Sequence, residues 1–142
     1  MKKSLRVYLA GRCKGLEDGG KIWREEIAKQ LNAVSEWQEK PIDIFDPTKY
    51  FSYAEKRHKT QKQIKDYYMN QLLKCDLMIL NANDSNFSVG TAQEVQFAVD
   101  HNIPIIAFGT QEMYPWIVEV DAQVVFDSMH EAVDYVRDFY LV

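Results

Sequence analysis

Cysteine and histidine are scarce in this chain, with two of the first and three of the second in 142 residues. Cys13 and Cys75 lie far apart in sequence, and His58, His101 and His130 share no ligand-type spacing with them or with one another, so no metal site is expected. Two thiols are also too few for a disulfide framework; reduced cysteines in a cytoplasmic protein are the expectation. No apolar run reaches the roughly 18 residues of a membrane span. The basic start Met1-Lys2-Lys3 leads into Ser4 to Ala10, a segment too short and too polar for a signal-peptide core. Positive charge is not in excess: 17 Lys and Arg against 21 Asp and Glu leave a net charge of −4. That balance argues against a general nucleic-acid surface, while helix N-termini and a few local cations remain able to hold a small anion. There is no Walker-type phosphate loop. The segment Gly11 to Leu16 lacks the third glycine of a dinucleotide fingerprint, and it lacks a hydroxyl-rich cradle for a flavin phosphate. No cofactor is expected.

What is present is a core and an alternating pattern. At 46% hydrophobic and 13% aromatic, the chain can fill one domain spanning 1–142, with no internal repeat to divide it. Leu5 to Ala10 reads as a buried strand and Gly11 to Gly20 as a loop. Ile22, Trp23, Ile27, Leu31 and Val34 then recur at helical spacing. A short strand, Ile42 to Phe45, stops at Asp46-Pro47, and residues 48–60 have no clear period. Ile64, Tyr67, Tyr68, Leu72 and Cys75 mark a second helix, followed by a strand over Asp76 to Leu80 and a turn-rich loop over Asn81 to Ser88. A third helix is expected over Gly90 to His101 and a strand over Ile103 to Phe108. Gln111 to Val118 reads as a short helix broken by Pro115. A fifth strand covers Gln123 to Phe126, and Ser128 with Glu131 forms a capping box for the last helix. Five strands alternating with helices predict an α/β fold with a parallel sheet covered on both faces. The simplest arrangement is a flavodoxin-like three-layer sandwich of strand order 2-1-3-4-5. Ligands in such sheets bind beyond the carboxyl ends of the strands, where the order reverses. Here that point lies between the loops Gly11 to Gly20 and Asn81 to Ser88.

The run Ser88-Val89-Gly90-Thr91-Ala92-Gln93-Glu94 falls at that point. It opens a helix, so its free amides and dipole favour anions and ligand hydroxyls. Gly90 allows close backbone approach, and Ser88 and Thr91 add hydroxyls. Glu94, in the first turn or just after it, is expected to stay ionised near the positive helix end. An ionised carboxylate in a cleft can attack an electrophilic sugar carbon, or it can simply complement the dipole. Tyr8 on the first strand can orient that carboxylate or pack in the core. Arg12 and Lys14 can meet a phosphate or remain solvated. Met113 and Trp116, flanking Pro115, can wall a flat base or plug their own loop.

Several of these segments together resemble the nucleoside 2-deoxyribosyltransferases: Val7-Tyr8-Leu9-Ala10-Gly11, Trp23-Arg24, Cys75 to Asn81, Ser88 to Val95, and Pro115-Trp116. The likeness runs over most of the chain in the right order, and the Ser-x-Gly-Thr-x-x-Glu element is fairly specific in a strand–loop–helix context. The resemblance implies a flavodoxin-like domain, a homodimer or higher homo-oligomer, and a nucleoside or nucleotide substrate exchanged against a free base, without nucleic acid or membrane as partner. It implies Glu94 as nucleophile with Tyr8 orienting it. The candidate substrate-binding residues are Gly11, Arg12, Asp46, Ser88, Gly90, Thr91, Met113 and Trp116. Relatives exchange the base of 2'-deoxynucleosides through a covalent deoxyribosyl-enzyme, a salvage reaction. Close cousins hydrolyse nucleoside 5'-monophosphates. Two positions depart from the family pattern. Ser88 stands where some transferases carry an acid against the 5'-hydroxyl, which leaves 5'-monophosphates open as ligands. Tyr68 stands where the family usually has an aspartate that protonates the leaving base, so Asp66, or else Asp84, is the candidate general acid. A nucleotide-binding module without catalysis is the alternative that this second departure favours.

Overall fold

The computed structural model describes residues 4–13, 15–50 and 56–142. Lys14, the initial Met1-Lys2-Lys3 and part of the 48–60 segment therefore lie outside the described residues. Strand β1 (Leu5–Gly11) is followed by helix α1 (Lys21–Gln38), strand β2 (Ile42–Phe45) and helix α2 (Gln61–Leu73). Strand β3 (Leu77–Asn81), helix α3 (Val89–Asp100), strand β4 (Ile105–Phe108), strand β5 (Val124–Phe126) and helix α4 (Met129–Phe139) complete the series. The five strands form one parallel sheet in the order β2-β1-β3-β4-β5, as the sequence pattern predicts.

The near-continuous apolar strands are explained by burial on both faces. Alternation along each strand divides its side chains between two cores. Val7, Leu9, Leu77, Ile79, Ile106 and Phe108 pack with Ile27 and Leu31 of α1 and with Ala132, Val133 and Val136 of α4. Tyr8, Ala10, Met78, Leu80, Ile105 and Ala107 point the other way, onto Leu72 of α2 and onto Val95 and Ala98 of α3. Tyr8 is thus on the face that carries α2 and α3, which decides what its hydroxyl can reach.

Local departures from expectation have physical reasons. Pro115 begins a helical turn instead of breaking one, and a π-helical turn follows over Ile117–Asp121. Proline suits a first turn because its missing N–H has no partner there. Helix α2 ends at Leu73, so Cys75 lies past its end. Its start carries a full capping box between Thr60 and Gln63 that the aperiodic stretch before it concealed. At α4, the Ser128 hydroxyl accepts from the Glu131 amide, the first half of the expected box. Both cysteines are free thiols. No helix among the described residues is long and apolar enough to cross a membrane.

Candidate active site

The carboxyl end of β1, a face of α2 and the start of α3 meet at a cleft where two cavities join. One, about 200 Å³, is lined by Tyr8, Arg24, Lys65, Tyr68, Met69 and Gln93 among others. The second, about 440 Å³, is lined by Gly11, Phe87, Ser88, Val89 and Thr91. Cys13, Gly90 and Glu94 belong to both. The carboxylate therefore stands where the two spaces meet, so one bound molecule can extend to either side of it.

Helix α3 begins at Val89, which puts Glu94 in its second turn. Ser88 caps the helix: its hydroxyl accepts from the Thr91 amide at 3.3 Å and lies 2.7 Å from the Thr91 hydroxyl. Gly90 leaves open space where a Cβ would stand, so the first turn presents bare backbone to the cleft. Tyr8 is fully buried, with its ring stacked on Phe45 at 5.3 Å between centroids, and its hydroxyl donates to Glu94 Oε2. The phenol is a proton donor held in one orientation by the sheet, and burial and the neighbouring carboxylate raise its pKa well above the usual value.

Glu94 does not behave as a first-turn acid. Burial pushes its pKa from 4.5 to about 7, against the pull of the Tyr8 hydrogen bond and the Arg24 guanidinium. The expectation of a permanently ionised carboxylate is corrected accordingly. The dipole of a helix acts within its first turn, and in the second turn the loss of water outweighs it. A carboxyl so placed changes its charge near neutral pH, as a group tuned by its surroundings does. Cys13, which also lines the cleft, is held as a thiol, because burial raises its pKa.

Arg24 is the residue that sequence reasoning passed over as a site element. It is 1% exposed. Its guanidinium donates to the carbonyls of Gly11 at 2.8 Å, Gly20 at 2.9 Å and Leu9 at 3.3 Å, and it lies 3.9 Å from Asp46 Oδ1. It ties the end of β1 to the start of α1 and sets a fixed positive charge near Glu94. The signal was present: Arg24 shares the apolar stripe of Ile27 and Leu31, at helical spacing. Gly20 is required beneath it. Its φ of 82° is left-handed, and a Cβ there would collide with the Arg24 Nη1.

The other expected residues separate into those at the cleft and those away from it. Gly11, Ser88, Gly90 and Thr91 line it. A Cβ on Gly11 would come within 2.8 Å of the Trp23 ring, so this glycine also serves packing. Asp46 lines neither cavity. It is buried, and its Oδ1 accepts from the Thr48 amide at 2.9 Å and the Thr48 hydroxyl at 2.6 Å. Arg12 pairs with Asp84 at 3.6 Å and lies over Phe87, outside the lining, which also engages the reserve acid Asp84. Met113 packs against the core on the α3 side, and Trp116 is 70% exposed; neither lines the cleft within this chain. Asp66 is not brought to the base side. It pairs with Lys62 at 2.8 Å and borders a separate depression, because Lys65, Tyr68 and Met69 occupy the cleft-facing side of α2.

The family model for nucleoside 2-deoxyribosyltransferases matches residues 7–129. The chain belongs to this family. Membership places it among enzymes of glycosyl transfer and N-glycosidic cleavage acting on nucleosides or nucleotides. No curated protein matches the sequence. Solved structures do match in fold. A conserved protein from Enterococcus faecalis V583 is similar at 15% identity and a TM-score of 0.73, over 96% of this chain and 99% of that one. The 2-desoxiribosyltransferase from Leishmania mexicana is similar at 18% identity and a TM-score of 0.65, over 96% and 99%. A CMP N-glycosidase from Clostridium botulinum is similar at 18% identity and a TM-score of 0.51, over 95% and 99%.

Proposed function

We propose that this nucleoside 2-deoxyribosyltransferase-family chain cleaves the N-glycosidic bond of 2'-deoxynucleosides and transfers the sugar to another base through a covalent deoxyribosyl ester of Glu94. The observation that carries the reading is the Tyr8–Glu94 pair at the meeting of two cavities. The sugar sits over Glu94 with its 5' end toward Ser88, Gly90 and Thr91, and the base extends into the space beside Tyr68 and Met69. One Glu94 oxygen attacks the anomeric carbon as the bond to the base breaks with its electron pair on the base nitrogen. Tyr8 fixes the other oxygen, so the attacking lone pair is aimed without reorganisation. A second base then attacks the same carbon and the carboxylate leaves. The carboxylate and the ring oxygen of the sugar share the charge, so no cofactor enters these steps.

Incubation with a deoxynucleoside and a different free base is expected to yield the exchanged nucleoside. Full activity in Glu94→Ala would end the proposal. Hydrolysis of 5'-monophosphates is the second reading. It is favoured by the absence of any acid other than Glu94 from the lining of the cavity at the helix start, among the described residues. A comparison of kcat/KM for deoxycytidine and its 5'-monophosphate, with and without an acceptor base, separates the two. Assembly into a homodimer or larger homo-oligomer and a cytoplasmic role in nucleotide salvage complete the proposal; light scattering tests the first.

A further inference from the structure

We infer that Lys65 receives the departing base, and that this base is a 2-oxopyrimidine. The inference rests on the reading of Glu94 as the attacking carboxylate. The smaller cavity has the Glu94 carboxylate on one side and a face of α2 on the other, where Lys65, Tyr68 and Met69 recur at the i, i+3 and i+4 spacing. Among the described residues two cations line this space, and they are differently placed. The Arg24 guanidinium is occupied by three backbone carbonyls and lies beside Asp46. Lys65 makes no ion pair or hydrogen bond among the described residues, while Lys62, one turn earlier, is tied to Asp66. Among the described residues, no acid other than Glu94 lines the cavity, so none of them brings a second carboxyl to protonate the base.

The chemistry of the leaving group follows from this lining. As the bond between the anomeric carbon and the base N1 breaks, its electron pair remains on N1. In a 2-oxopyrimidine the resulting charge is shared with O2 on the adjacent carbon. A lysine ammonium offers three donors and no acceptor, which suits an oxygen that is gaining charge. The Glu94 oxygen forms its bond to the sugar, the pyrimidine anion leaves paired with the ammonium, and it takes its proton from water on release. A purine departing through N9 has no oxygen beside the broken bond and draws less from the same cation.

The test measures base release from deoxyuridine, 5-fluorodeoxyuridine and deoxyadenosine by the wild type, Lys65→Met and Lys65→Arg, with thermal melts as a check on folding. The wild type is expected to prefer deoxyuridine to deoxyadenosine. Lys65→Met is expected to slow release from deoxyuridine by about 100-fold, in the range seen when one charge-stabilising donor is removed. The loss should shrink with 5-fluorodeoxyuridine, whose base anion needs less help, and Lys65→Arg should recover part of it. An equal loss on all three substrates, no loss, or a wild-type preference for deoxyadenosine would overturn the assignment while leaving the Glu94 reading intact. Failure of the wild type to release base from any substrate would overturn both.

Discussion

Replacing Glu94 with glutamine keeps the size of the side chain and an oxygen to accept from Tyr8, and removes only the ability to carry charge. The wild-type carboxyl titrates near 7 in the folded protein against an ordinary 4.5, and burial is the main cause. A folded-state pKa above the unfolded one means that the folded protein binds the proton more tightly. The resulting stability is full below about pH 4.5 and declines as the pH rises toward 7, where the half-buried carboxyl ionises. At 1.36 kcal/mol per pKa unit, the ionised form costs about 3 kcal/mol of stability above pH 7. Glu94→Gln escapes that cost. In chemical denaturation at pH 5 and pH 8, the variant should match the wild type closely at the lower pH and exceed it by about 2–3 kcal/mol at the higher one, with a melting temperature higher by roughly 10 °C. The same proton governs activity, because the nucleophile must be ionised. Wild-type kcat/KM should rise with pH to a plateau with a midpoint near 7. Equal stability of the two proteins at pH 8, or an activity midpoint near 4.5, would refute the reasoning about burial.

Tyr8→Phe removes a hydrogen bond that favours the ionised carboxylate, so the midpoint of kcat/KM should move upward by about one pH unit and the neutral-pH rate should fall about tenfold or more; a pH–rate profile measures both. Gly90→Ala places a methyl group in open space in the first turn of α3. Helix propensity should make the fold more stable by up to about 1 kcal/mol while substrate KM rises, seen by denaturation and initial rates. Asp66→Asn should leave kcat and KM within about twofold, since the residue pairs with Lys62 at the surface and such pairs contribute little. A large fall in kcat there would restore Asp66 as the general acid.

Much of the fold was legible because the strands are nearly continuous apolar runs separated by helical spacing, and because only a parallel, doubly covered sheet accommodates that pattern. The same logic located Ser88, Gly90, Thr91 and Glu94 at the reversal of strand order, where they line the cleft. It reached position but not environment. The raised pKa of Glu94 depends on the packing around it, which sequence spacing does not encode. Arg24 shows its place on the apolar stripe in the sequence, but not that the carbonyls of Leu9, Gly11 and Gly20 converge on it. On α2 the error was one of helical phase. Asp66 is one residue from Lys65, but that single step of about 100° carries it out of the cleft. Asp46, a substrate-binding candidate in the sequence, instead turns its carboxylate inward to Thr48 and toward Arg24.

The central claim is a bond between Glu94 and a sugar. Mass spectrometry of the protein quenched during turnover of a deoxynucleoside without acceptor base, followed by peptide mapping, tests it most directly. The account predicts a mass increase of one deoxyribosyl unit on the peptide containing Glu94, lost when a free base is added. An active protein that carries no adduct, or carries it on another side chain such as Cys13, would contradict it.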